Sequence, residues 1–223
     1  MKKVIVFLLV VFSQISTAQV TKSIGDFDEV KVFDRLNVTL IPATENKIEI
    51  TGSRSKEVEF VNKNGQLKIR MSVSKLLKGE EITIKLYFKN LQDIDASEGS
   101  FITCDAVLKQ TAIEITTKEG AEIQLKIDVQ KAEIKAVTGG IIKLSGKAFN
   151  QEVAIGTGGI LEAENLQTSQ STVSITTGGE ADVRASEFVD AKIKVGGTIT
   201  IFGNPKQINK KTILGGTIIE SKR

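Results

Sequence analysis

The chain has 223 residues and a formal net charge of +3, and its 40% hydrophobic and 26% charged content suits a folded core, not a disordered chain. It has no His, no Trp, one Tyr and one Cys. This excludes His-based catalytic triads and metal sites, an intramolecular disulfide and Cys-rich zinc sites, and it removes the usual Trp and Tyr platforms for sugars and single-stranded nucleic acid.

The first element is a leader. Lys2 and Lys3 precede nine apolar residues, Val4 to Phe12, and Ser16-Thr17-Ala18 places small residues before Gln19. This is the pattern of a secretory signal peptide over 1–18, cleaved after Ala18. Nine apolar residues fall short of the roughly 20 that span a bilayer. Loss of the two leader lysines leaves 205 residues at a formal charge of +1, without a Lys/Arg run. That predicts no nucleic-acid partner, and no later stretch is apolar enough to predict a membrane span.

Residues 19–95 read as irregular β-rich coils forming an N-terminal cap, with alternating runs at Val30/Val32, Val38/Leu40, Ile48/Ile50, Leu67/Ile69 and Ile82/Ile84/Leu86. Lys75 to Glu81 reads as a loose loop or short helix. No linker separates this part from residues 96–223, which predicts one domain over 19–223.

From residue 96 onward glycine marks a repeat. The markers are Gly99, Gly120, Gly139-Gly140, Gly158-Gly159, Gly178-Gly179, Gly196-Gly197 and Gly215-Gly216, spaced 18 to 21 residues apart. Three residues after the first glycine stand Ile102, Ile123, Ile142, Leu161, Ala181, Ile199 and Ile218. Two residues further stand Cys104, Leu125, Leu144, Ala163, Val183 and Ile201, with mostly polar residues between. Apolar–polar alternation is strand with one face buried, and glycine suits a tight corner. A ~19-residue repeat of short strands predicts an all-β, parallel, right-handed β-solenoid with equivalent residues stacked one coil apart.

These features together resemble the auto-transporter adhesin, head GIN domain family of exported bacterial proteins. The resemblance runs from about Phe27 to Ile219. It rests on FDEVKVFDRLNVTLIPATENKIEITG, on NGQLKIR, on the Gly-Gly coils and on the closing GGTITIFGNPKQINKKTILGGTII with Gly203-Asn204-Pro205. It implies a β-solenoid fold outside the cytoplasm and supplies no catalytic motif.

Candidate sites are few. Glu162 and Asp182 share one outward column, and Glu164 and Arg184 the column two residues on. They read as a cation or acid/base pair, or as a solvated face with a cross-coil Glu164–Arg184 ion pair. Thr138, Thr157 and Thr177 precede Gly-Gly pairs and read as a Thr ladder for ice or glycan, or as corner hydroxyls bonding one another and the backbone. Cys104 reads as a buried structural thiol between Ile102 and an inward Ala106. No cofactor or metal site is expected. The functional expectation is an exported, non-enzymatic binding, adhesion or envelope-scaffold protein whose partner is a protein or glycan of the cell envelope. The alternatives are a lyase-like carbohydrate-active β-helix enzyme and a periplasmic sensor or partner domain of an envelope-stress system.

Overall fold

The computed structural model describes residues 19–221, so the leader expected over 1–18 lies outside the described residues. Sixteen strands form one continuous sheet, wound as a parallel β-solenoid of about 7 turns.

The regular body starts with β9 (Phe101–Thr117), β10 (Glu122–Val137), β11 (Ile141–Gly156), β12 (Ile160–Thr177) and β13 (Glu180–Val195), each pairing in parallel with the next. The last coils are split, with β14 (Thr198–Phe202) and β15 (Gln207–Leu214) both lying on β13, and β16 (Thr217–Glu220) on β14. The expected columns form. Ile102, Ile123, Ile142, Leu161, Ala181, Ile199 and Ile218 are successive register partners, and the first six of them are buried. Within β10, Ile123, Leu125, Ile127 and Val129 point inward, the alternation breaks at Gln130–Lys131, and it resumes at Ala132, Ile134 and Ala136. Each coil therefore has two arms meeting at this second corner. The inward side chains join one hydrophobic cluster along the axis, the main favourable term for a repeat that cannot bury a face alone.

The glycine corners are built in two ways. Ser97–Ser100, Lys118–Ala121, Val137–Gly140 and Gly156–Gly159 are four-residue turns closed by a backbone hydrogen bond of 2.9 to 3.2 Å. Their two central residues have positive φ, as in Thr138 (50°) and Gly139 (73°), which is a type I′ turn. The left-handed pair in these coils is thus Thr138-Gly139 and Thr157-Gly158 instead of the Gly-Gly pairs expected from the sequence. Gly140 and Gly159 serve close approach instead: a Cβ on Gly159 would sit 2.1 Å from the Ala136 carbonyl oxygen in the coil below. In the last three corners both glycines, Gly178-Gly179, Gly196-Gly197 and Gly215-Gly216, take positive φ. The corners bond to one another as well: Arg35, Gly99, Gly120 and Gly139 each donate a backbone N–H to the matching carbonyl of the next corner, Glu98, Glu119, Thr138 and Thr157.

That series includes a corner without glycine, Phe33–Leu36, where Asp34 and Arg35 both have φ of 60°. It joins β2 (Glu29–Val32) to β3 (Asn37–Pro42), and these two strands form a coil directly under β8 (Asp93–Ala96) and β9. The strands between them in sequence lie on the far side. β6 (Gln66–Met71) and β7 (Thr83–Phe88) pair in parallel with β2 and β3. Antiparallel partners then end the stack: β5 (Val58–Lys63) on β6, β4 (Lys47–Thr51) on β7, and β1 (Gln19–Ser23) on β4. The first coils are accordingly stacked out of sequence order and finished by antiparallel strands, which covers an edge that parallel stacking would leave open. Buried Asp34 fastens this end, its carboxylate accepting the Met71 N–H (3.0 Å) and the Leu77 N–H (2.9 Å). The segment expected to be loose, Lys75 to Glu81, follows a short 3-10 turn at Val73–Lys75 and is held at Leu77 by this clamp.

Candidate functional site

Glu162 and Asp182 are register partners on adjacent coils, as the repeat predicts. The Lys143 ammonium lies 3.2 Å from Glu122 and 3.9 Å from Glu162, so Glu162 already faces a cation. The Asp182 carboxyl is pushed up from the ordinary range, first by burial and then by the charges of Glu164 and Glu180, against a Thr200 hydrogen bond.

Glu164 and Arg184 are not stacked as expected. After the Ala163–Val183 pair the ladder slips, and Thr168 meets Ala185, so β12 carries three more residues than β13 over this stretch. The excess lifts Glu164 out of line. Arg184 Nε instead donates to the Glu164 carbonyl oxygen at 2.6 Å, and its guanidinium lies 5.7 Å from the Phe202 ring centre. The Glu164 carboxylate accepts from the Asn165 amide at 3.1 Å.

Thr138, Thr157 and Thr177 are exposed, and among the described residues their hydroxyls bond neither one another nor the backbone. The reason is conformational: Thr138 and Thr157 sit in left-handed turns, whereas Thr177 ends a strand. Cys104 is buried, and burial raises its thiol pKa. Ala106 is exposed, not inward, because β9 carries two extra residues here: Gln124 pairs with Thr103, and Lys126 with Val107.

One constellation was missed by reading forward from the glycines. Glu29, Asp93, Glu114, Glu133 and Glu152 are consecutive register partners, a column of five carboxylates along the axis. From Asp93 onward each lies six residues before the first glycine of its corner, a spacing visible in the sequence. Lys131 bridges Glu133 (2.8 Å) and Glu152 (3.1 Å), and Lys31 reaches Glu29 (2.8 Å) and Asp95 (3.6 Å). Half-buried Asp93 has no cation within ion-pair distance among the described residues. Burial pushes its carboxyl up to about 6, with help from Glu114 and Glu29 and opposition from Lys31. No group of three or more acidic, His or Cys side chains among the described residues is placed to hold a metal ion.

A concavity lies elsewhere, along the second corner of the coils. It is an open groove of about 570 Å³ running from Gln130 past Phe149 and Ser169 to Gly203. Small inward-facing residues, Ala148, Thr168 and Ala185, form its floor. Asp128, Lys147 and Gln167, register partners on successive coils, form one wall. Phe149 stands 53% exposed on the other. Composition drew attention to the missing Trp and Tyr and so passed over this ring.

Together these features define a parallel β-solenoid with an antiparallel N-terminal cap and polar outward columns. The family described as "Putative auto-transporter adhesin, head GIN domain" matches residues 26–205, and the chain belongs to that family. Solved structures share the fold. A "putative adhesin" from Bacteroides fragilis superposes with a TM-score of 0.84, and another from Parabacteroides distasonis with 0.74. A "putative lipid binding protein" from Parabacteroides distasonis gives 0.72. Each is 19% identical, with 92% of this chain and 96% of the other covered. No curated protein matches the chain.

Proposed function

We propose that this protein is an exported, non-enzymatic module that binds a protein or glycan of the cell envelope through the outward face of its solenoid. The carrying observation is the division of labour within each coil. Inward columns repeat aliphatic residues, while outward columns are polar and differ from one another, one acidic throughout (Glu29–Asp93–Glu114–Glu133–Glu152) and another, Asp128–Lys147–Gln167, changing chemistry at every step. That is a rigid scaffold carrying a variable surface, the arrangement by which repeat proteins present extended binding faces. Membership in a family described as adhesin supports the reading, as does the leader-like N-terminus. No described helix is long and apolar enough to cross a membrane.

The test is protease accessibility on intact cells, followed by retention of the purified protein on envelope material. Surface cleavage and saturable retention are expected. Cleavage only after outer-membrane disruption, together with co-purification of an inner-membrane partner, would favour the sensor alternative. The lyase-like alternative rests on Glu162 and Asp182, and turnover of uronic-acid polymers abolished by Glu162→Gln or Asp182→Asn would overturn the non-enzymatic reading.

A further inference from the structure

We infer that the corner groove beside Phe149 is a binding site for an uncharged oligosaccharide, an assignment that rests on the binding-module reading and gives it a ligand class. Four observations converge. First, Phe149 is a large aromatic left 53% exposed on a strand, although the same coil buries Leu144, Ala148 and Val153. An aromatic face offers stacking to the apolar C–H face of a pyranose ring.

Second, five polar side chains around it are free, while Thr168 and Arg184 bond to backbone carbonyls. Asp128, Gln130, Lys147, Gln167 and Ser169 make no side-chain hydrogen bond or ion pair among the described residues, although Asp128 and Lys147 are register partners of opposite charge. Amides and hydroxyls that both donate and accept match the paired capacity of sugar hydroxyls. Third, the lining carries charge of both signs, the Asp128 carboxylate against the Lys147 ammonium and an Arg184 guanidinium already engaged by the Glu164 carbonyl and the Phe202 ring. This disfavours a polyanion or polycation, which would be matched by charge of a single sign. Fourth, Asp128, Lys147 and Gln167 stand on three successive coils at the strand spacing of ~4.8 Å, so an extended chain lying along the axis would meet side chains of all three. A lipid chain would call for continuous apolar lining, whereas this groove offers one aromatic ring among five unpartnered polar side chains.

The experiment titrates the purified full chain with soluble neutral oligosaccharides of two to six units (β-glucan, chitin and mannan fragments), read by calorimetry and by amide NMR shifts. Binding of at least one series is expected, with shifts centred on residues 128–130, 147–149 and 167–169. Phe149→Ala should weaken it at least tenfold with an unchanged melting temperature, Phe149→Tyr should restore it, and Gln167→Ala should weaken it several-fold. The inference is overturned if no saccharide binds or if affinity ignores Phe149→Ala. It is equally overturned if phosphatidylethanolamine–phosphatidylglycerol vesicles bind through Phe149 while saccharides do not. Retention on envelope material that survives Phe149→Ala would remove the groove and leave the binding-module reading standing.

Discussion

The carboxylate column should cost stability at neutral pH, and Asp93→Asn should recover it. Asp93 lies between Glu29 and Glu114, half-buried, with the nearby Lys31 ammonium held by Glu29 and Asp95. Its carboxyl rises from 3.8 to about 6 in the folded chain, mainly through burial. The folded form therefore holds the proton more tightly than the unfolded form. The contribution of Asp93 to stability is most favourable below pH 4, falls as pH rises from about 4 through 6, and stays at its lower level above that. The full interval corresponds to about 3 kcal/mol, and continued solvation of a half-buried group reduces this to on the order of 1–2 kcal/mol. Urea denaturation of wild type and Asp93→Asn at pH 4 and pH 7.5 checks it. The variant should be more stable by that amount at pH 7.5, a melting-temperature rise of about 4 °C, with little gain at pH 4. Equal gains at both pH values, or none at pH 7.5, would refute the argument.

Corner geometry gives a pair of opposite expectations in thermal melts. Thr157→Gly should raise the midpoint by a few degrees, because a β-branched residue at φ of 49° carries strain worth on the order of 1 kcal/mol. Gly159→Ala should lower stability by more than about 2 kcal/mol, since the new Cβ meets the Ala136 carbonyl. Leu144→Asp places a charge in the buried stack and should cost about 4 kcal/mol or more, abolishing β-type circular dichroism at 37 °C. Cys104 should resist thiol reagents until the chain unfolds, because it is buried with its thiol pKa raised.

The regular half of the fold was legible because stacking makes each inward column a repeated statement in the sequence. Ile102, Ile123 and Ile142 recur at a fixed distance from glycine because they occupy one site in successive coils. The cap was less legible, since β2–β3 and β8–β9 stack on each other across an inserted excursion, residues 43–92, that periodicity does not detect. Phe33–Leu36 shows the same limit: it is a corner like the others, yet it takes its left-handed pair from Asp34 and Arg35. Site residues suffered most from insertions. Three extra residues in β12 undo the Glu164–Arg184 stacking, because column arithmetic holds only while each coil has the same count between corners. Phe149 could not be singled out by type alone, since whether a Phe fills the core or stands in solvent depends on which side of the second corner it falls.

The two ends of the solenoid solve the edge problem differently, and the C-terminal solution explains an oddity of the last coil. Lys210 is the register partner of inward Ala191, and Glu220 that of inward Ile201, so both occupy columns that every earlier coil fills with apolar or small residues. They meet as a 2.5 Å ion pair. Placed mid-stack, such a pair would suffer full desolvation, but at the open end it is solvent-exposed and closes the mouth of the apolar column. Inward-pointing charge is also a recognised means of discouraging another strand from adding to an edge, which matters here because Ile213 and Leu214 stand exposed on β15. Replacing the pair together, Lys210→Leu with Glu220→Leu, should extend the apolar column by one coil and leave the monomer folded. It should promote concentration-dependent end-to-end association in sedimentation velocity. A double variant that stays monomeric at high concentration would show that β15 and β16 are protected by something other than this pair.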